Sequence, residues 1–179
     1  ISSNSELNFD LKSENKLSLK SENSDFNLLC LPTDNFPSFA DEFEGQEILL
    51  NNNRFLKLLT KTRISISNDD TRHYLNGIFF HRTQKNSIDI LRAVATDGHR
   101  LAQYDIPLPQ GANEINGIII PKKTIQELRR VLDDASGDIN IELNENKVRF
   151  SFNNMQITSK VIDGTFPDYT KVIPVSNDK

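Results

Sequence analysis

The 179 residues carry 21 Lys+Arg against 25 Asp+Glu, a formal net charge of −4, which excludes a protein that holds nucleic acid by bulk electrostatics alone. The single cysteine, Cys30, excludes an internal disulfide and a cysteine-based metal cluster; its expected place is a buried strand thiol in a reducing compartment. No apolar run approaches the roughly 18 to 20 residues that span a bilayer, and no basic segment precedes an apolar one at the start, so a cytoplasmic chain without membrane association is expected.

Residues 6–11, 17–22 and 25–31 alternate apolar with polar side chains and are broken by Ser-Glu-Asn turns, which predicts three short strands. Residues 40–46 form an acidic link containing Gly45, a domain junction. A short strand at 47–50 and a helix at 51–62 follow, with an asparagine as N-cap. Phe55, Leu58, Leu59 and Thr62 fall on one helical face, and Arg54, Lys57 and Lys61 on another. Strands are predicted at 74–82, 87–96, 101–106 and 117–120, with turns at 84–86 and 107–113 and visible alternation in Ile88, Ile90, Arg92 and Val94. A second helix opens with Pro121 near its first turn and runs to about 134. Its apolar stripe is Ile125, Leu128 and Leu132, while Lys122, Gln126 and Arg129 share another face. Strands at 138–143, 147–152 and 155–162 close the run.

Two helices cannot cover both faces of so many antiparallel strands, so they are expected together on one side of the sheets in an α+β domain. Both helices are basic where they face outward. Between 51 and 63 the charged residues are Arg54, Lys57, Lys61 and Arg63 with no acid among them, and between 121 and 130 only Glu127 opposes Lys122, Lys123, Arg129 and Arg130. Such rows are either one shared positive surface or ordinary solvated helix faces.

A long repeat divides the chain. Leu31-Pro32-Thr33-Asp34-Asn35-Phe36-Pro37-Ser38-Phe39 aligns with Val161-Ile162-Asp163-Gly164-Thr165-Phe166-Pro167-Asp168-Tyr169, an offset of 166 − 36 = 130. Upstream, Asn15-Lys16-Leu17-Ser18-Leu19 aligns with Asn146-Lys147-Val148-Arg149-Phe150. That period is a whole duplicated domain and not a solenoid unit. Residues 1–46 are then the tail of a preceding domain, too short for a core of their own, which must dock on something or be poorly stable. The chain is expected to be a piece of a longer protein that holds at least one more copy.

Thr96-Asp97-Gly98-His99-Arg100-Leu101 sits between two strand-like runs with Asp-Gly as a hairpin turn. This segment resembles the signature of the bacterial DNA polymerase sliding clamp, the β subunit. Tyr74-Leu75-Asn76-Gly77, in a strand before it, and Ser159 to Tyr169, after the last strand, follow in the family's order. The resemblance implies the DNA clamp fold, antiparallel sheets with two helices per domain packed on one side. It implies that residues 47–174 are the middle domain of a three-domain clamp, 1–46 the end of the first domain and 175–179 the start of a linker to the third. Such clamps are head-to-tail homodimeric rings around double-stranded DNA, with helices inside and sheets outside. They are non-catalytic processivity factors without cofactor or metal, and topology retains them while inward cations make weak, exchangeable phosphate contacts.

Carried over by position, the family's partner-peptide pocket maps to Leu75, Thr96, Gly98, His99, Arg100, Leu101, Pro167, Lys171 and Val172, with Arg72 nearby. Polymerase, clamp-loader and repair proteins use it in the family through short Gln- and Leu/Phe-containing motifs. Lys171 stands where the family commonly has Arg. For DNA the resemblance points to the loop from Asp69 to Tyr74, including His73 and Tyr74, and to the helices with Lys57, Lys61, Arg63, Lys122, Lys123 and Arg129. His73 replaces a tyrosine of well-known members and Asp69 a neutral residue, which makes the helix cations the stronger candidates. Two rival classes remain: a β-rich interaction scaffold that never touches DNA, and a hydrolase built on His99 with Asp97 or on His73, His81 and His99. No nucleophile elbow, HExxH or P-loop accompanies those histidines, and His99 beside Gly98 reads as a turn or pocket residue.

Overall fold

Alternating side chains set up three antiparallel sheets in the computed structural model, which describes residues 5–36, 45–133 and 135–174. The chain divides into two units, 1–42 and 43–179. The link at 40–44, the end of the second helix at Asp134 and the linker at 175–179 lie outside the described residues.

The first unit is a meander of β1 (Asn8–Ser13), β2 (Lys16–Ser21) and β3 (Ser24–Leu29). Leu11, Leu17 and Leu28 lie opposite one another across the strands, as do Phe9, Leu19 and Phe26, so one face is an apolar ladder. Phe9 and Leu11 stay 67% and 66% exposed. Cys30 lies half-buried one residue past β3 and is not the interior strand thiol expected of it. Phe36 is 80% exposed.

The second unit holds β4 (Gln46–Asn51), α1 (Asn52–Thr62), β5 (Gly77–Lys85), β6 (Ile88–Thr96), β7 (Leu101–Pro107), β8 (Ile118–Pro121), α2 (Lys122–Leu132), β9 (Asp138–Leu143), β10 (Lys147–Phe152) and β11 (Met155–Lys160). They form one sheet ordered β11-β10-β9-β4 and another ordered β7-β6-β5-β8, all antiparallel. Both helices touch each other and lie on the inner face of the β7-β6-β5-β8 sheet, α1 over β6 and β7, α2 over β5 and β8. Phe55 of α1 stacks on Phe150 of one sheet (5.7 Å between centroids) and meets Phe80 of the other at 6.2 Å. One helix side chain thus joins both sheets in the main core, where burying each such ring contributes about 1.5–3 kcal/mol. Asn51 occupies the N-cap but its side chain makes no cap bond. The neighbouring Asn52 amide instead donates to the carbonyls of Leu132 and Ala135 (3.0 and 2.6 Å), tying the start of α1 to the end of α2.

The sheet under the helices is buried on both faces. Leu91, Ala93 and Ala95 of β6 face the main core; Val94 joins Leu75, Ile119, Phe166 and Tyr169 in a smaller core on the outer face. Ile88, read as part of the strand's alternation, is exposed beside the hairpin turn.

Several boundaries differ from the sequence reading. Tyr74 and Leu75 are not in a strand: the carboxylate of Asp69 accepts the N–H of Thr71 and draws Asp70–Leu75 into a 3-10 turn, so β5 starts at Gly77. The turn after β5 falls at Asn86 and Ser87, with φ of 51° and 63°, the left-handed pair that matches the twist of a two-residue hairpin. Pro121, expected near the first turn of the second helix, is its N-cap and also ends β8, so α2 itself starts at Lys122. Finally β11 stops at Lys160, because the chain then leaves that sheet's edge: the Ile162 N–H donates to the Ile119 carbonyl of β8 at 2.9 Å.

Candidate functional site

That crossover carries residues 162–172 onto the outer face of the β7-β6-β5-β8 sheet. Phe166 stacks on Phe79 with centroids 4.9 Å apart and planes within 8°, and Tyr169 is buried beside it. With both rings anchored, Pro167, Asp168 and Val172 face the β6–β7 loop across a cleft of about 340 Å³. Leu75, Leu101, Pro167, Tyr169 and Val172 supply an apolar lining, while Thr96, Gly98, His99, Arg100 and Asp168 bring polar groups to it. Val172 is 70% exposed, a large apolar side chain open to solvent at the edge of the cleft.

Three segments beside the cleft are built alike. In each, an aspartate accepts the backbone N–H two residues on and pairs with a cation three residues on. Asp69 takes Thr71 N–H (2.9 Å) and Arg72 Nε (2.9 Å). Asp97 takes the N–H groups of His99 and Arg100 (both 3.0 Å) and Arg100 Nε (3.0 Å). Asp168 takes Thr170 N–H (3.2 Å) and lies 3.1 Å from Lys171 Nζ. These bonds hold all three carboxyls below the usual range. For Asp97 the backbone N–H of His99, then that of Arg100, brings it to about 2. For Asp69 the first cause is the Thr71 hydroxyl, and for Asp168 the Thr170 hydroxyl. All three are therefore ionised at neutral pH, and the loops they close are held by their own hydrogen bonds. Thr96 tightens the middle loop further, donating its hydroxyl to the Arg100 carbonyl (2.8 Å) and accepting Gly98 N–H (3.1 Å).

Of the residues singled out from sequence, Leu75, Thr96, Gly98, His99, Arg100, Leu101, Pro167 and Val172 line one cleft. Arg72 borders it: its Nη1 lies 2.8 Å from where a Cβ on Gly98 would sit. Lys171 is outside the lining, held by Asp168 at the rim. Sequence reasoning missed Asp168 and Tyr169 as lining residues, although both stand in the repeated Phe-Pro motif that flagged Pro167.

The candidate nucleic-acid residues lie elsewhere. Lys57, Lys61, Arg63 and Lys123 are exposed on or next to the helices. Lys122 bonds to Asn68, and Arg129 Nε donates to Thr60 across the helix pair at 3.2 Å. His73 is exposed, with Nε2 3.1 Å from the Asp163 carbonyl, whereas Tyr74 is half-buried against the outer core. A second cleft of about 330 Å³ is rimmed by Glu114, Glu145 and Asp163, which gives it the wrong charge for phosphate. Among the described residues no group of three or more His, Cys, Asp or Glu is placed to hold a metal ion, and no helix is long and apolar enough to cross a membrane.

Comparison with known proteins identifies the family. Residues 49–168 match the family model for the DNA polymerase III beta subunit, central domain. The chain is 44% identical over 164 residues to the beta sliding clamp of Caulobacter vibrioides, spanning 92% of this chain and 44% of the relative. It is 35% identical over 174 residues to that of Escherichia coli, 97% and 46% of the two lengths. The chain thus spans under half the length of the curated relatives it matches. Among solved structures, the sliding clamp of Bartonella birtlesii bound to griselimycin superposes with a TM-score of 0.89 at 43% identity, over 97% of this chain and 46% of that one. The β subunit of Pseudomonas aeruginosa does so with a TM-score of 0.81 at 31% identity, over 96% and 46%.

Proposed function

Because the chain belongs to the bacterial DNA polymerase III β subunit family, we propose that it serves as part of a sliding clamp, the processivity factor of DNA replication. The middle domain runs from β4, which already includes Gln46, to residue 174, and the first unit is the end of the first domain. A third domain and the remainder of the first complete a head-to-tail homodimeric ring around double-stranded DNA in the cytoplasm. The role is non-catalytic and needs no cofactor.

One observation carries this reading: a single sheet, β7-β6-β5-β8, bears the basic helices on one face and the apolar cleft on the other. The face with Lys57, Lys61, Arg63 and Lys123 looks toward the duplex. Lysine and arginine heads there contact phosphates weakly and exchangeably, so the ring slides. Closure of the ring retains the DNA, which is how a chain of net charge −4 can serve it. The opposite face takes linear peptides from the polymerase, clamp loader and repair proteins. Their Leu and Phe side chains enter between Leu75, Leu101, Pro167 and Val172, and Thr96, His99 and Arg100 meet their polar groups.

The DNA half of the proposal is tested by Lys57→Glu with Lys123→Glu in the full-length ring on primed circular DNA. Shorter extension products per binding event are expected; unchanged processivity would leave a protein-interaction scaffold that does not use its helices for DNA.

A further inference from the structure

The wall of the cleft is held from behind. Residues 166–172 carry no strand pairing, and Tyr169, which lines the cleft, extends its hydroxyl along the sheet's outer face. There His81 Nε2 lies 2.8 Å from Tyr169 Oη, and Arg92 Nη1 donates to the same oxygen at 3.4 Å. His81 Nδ1 lies 3.0 Å from the Arg82 carbonyl, which can only accept, so the neutral ring carries its proton on Nδ1 and offers Nε2 as acceptor. The Tyr169 hydroxyl therefore donates to His81 and accepts from Arg92. Arg92 is itself fixed by Asp105, with Nε–Oδ1 at 2.7 Å and Nη2–Oδ2 at 3.0 Å. The His81 ring also stacks on Phe79 at 4.8 Å, and Phe79 is the ring on which Phe166 lies.

We propose that His81, with Arg92, is a positioning residue of the peptide cleft, holding the 166–172 wall through the Tyr169 hydroxyl only while the imidazole is neutral. The inference rests on the peptide-binding reading of that cleft. A proton on Nε2 would give the Tyr169 oxygen two donors and leave its own hydrogen without an acceptor. It would also set an imidazolium beside the Arg92 guanidinium. The charged and titratable groups around His81 are Arg92 from β6, Asp105 from β7, with Lys85 on the far side of that carboxylate at 3.2 Å, and Tyr169 from the wall; the β8 side presents Gly117. Burial leads in pushing the imidazole below its ordinary 6.5, and Arg92 adds to it, against the Arg82 carbonyl and Asp105. With the folded value depressed, the neutral contact is complete above the ordinary value and is lost as pH falls through the lowered one.

The test titrates a terminally blocked Gln-Leu-Ser-Leu-Phe peptide against the full-length protein between neutral and mildly acidic pH, with amide exchange of residues 162–173 followed in the absence of peptide. The parent should lose affinity as the pH falls. Tyr169→Phe and His81→Leu should bind on the order of fivefold more weakly at neutral pH, exchange faster in 162–173, and lose the His81 part of the slope. His81→Gln, whose amide oxygen can still accept the Tyr169 hydroxyl, should keep the affinity and lose that same part. His99 lines the cleft in every variant, so the reading is the slope lost relative to the parent. Unchanged affinity, slope and exchange in Tyr169→Phe would overturn the inference. A parent that binds no peptide would sink the cleft reading and this inference with it, while faster exchange in the variants would show that the network itself still stood.

Discussion

At Gly98 the backbone adopts φ +91°, and a Cβ there would lie 2.8 Å from Arg72 Nη1. Gly98→Ala is therefore expected to destabilise the protein by about 1–2 kcal/mol, the cost of a left-handed non-glycine residue, and to push the Arg72 guanidinium away from the rim. Urea unfolding reads the first effect; an unchanged midpoint would mean the loop relaxes without cost. The turn at Asp97-Gly98 was legible in the sequence because its chemistry is local, an aspartate bonded to N–H groups two and three residues on. Tyr169 was not, because its hydroxyl partner, His81, is 88 positions away. Lys171 shows the same boundary: sequence position placed it at the pocket, but its own neighbour, Asp168, holds its ammonium at the rim.

Both helices were legible from their period, and every residue of the stripe Phe55, Leu58, Leu59 and Thr62 is buried. The strand through Tyr74 was misread because alternation alone cannot reveal that Asp69 captures the Thr71 N–H and starts a 3-10 turn. The end of β11 was misread for a different reason: the apolar run continues to Ile162, but its last member pairs with β8 of the other sheet. Period reports burial and not which sheet does the burying. Since Phe55 is packed against Phe80 and Phe150 at once, Phe55→Ala should cost about 3–5 kcal/mol and lower the denaturant midpoint of the second unit. A loss below about 1 kcal/mol would show that the two sheets close over the gap.

Across the whole molecule, the repeat visible in sequence corresponds to two like meanders, β1-β2-β3 and β9-β10-β11. Their environments differ. Val148 and Phe150 are fully buried in the main core, while in the first unit the ladder that includes their counterparts Leu17 and Leu19 leaves Phe9 and Leu11 largely exposed. A peptide of residues 1–42 should accordingly show no cooperative thermal transition, since so short a sheet with one uncovered face cannot offset its ordering entropy; a sharp melt by circular dichroism would refute this. The second unit has the opposite property, a sheet covered on both faces that separates the basic helices from the cleft.

The cleft proposed to take linear peptides is addressed by one titration: a fluorescent Gln-Leu-x-Leu-Phe peptide against the full-length protein and against Pro167→Ala with Val172→Ala. Saturable binding by the parent and a loss of about 1–3 kcal/mol in the variant are expected. Equal affinity for both proteins, or no saturable binding at all, would contradict that reading of the cleft.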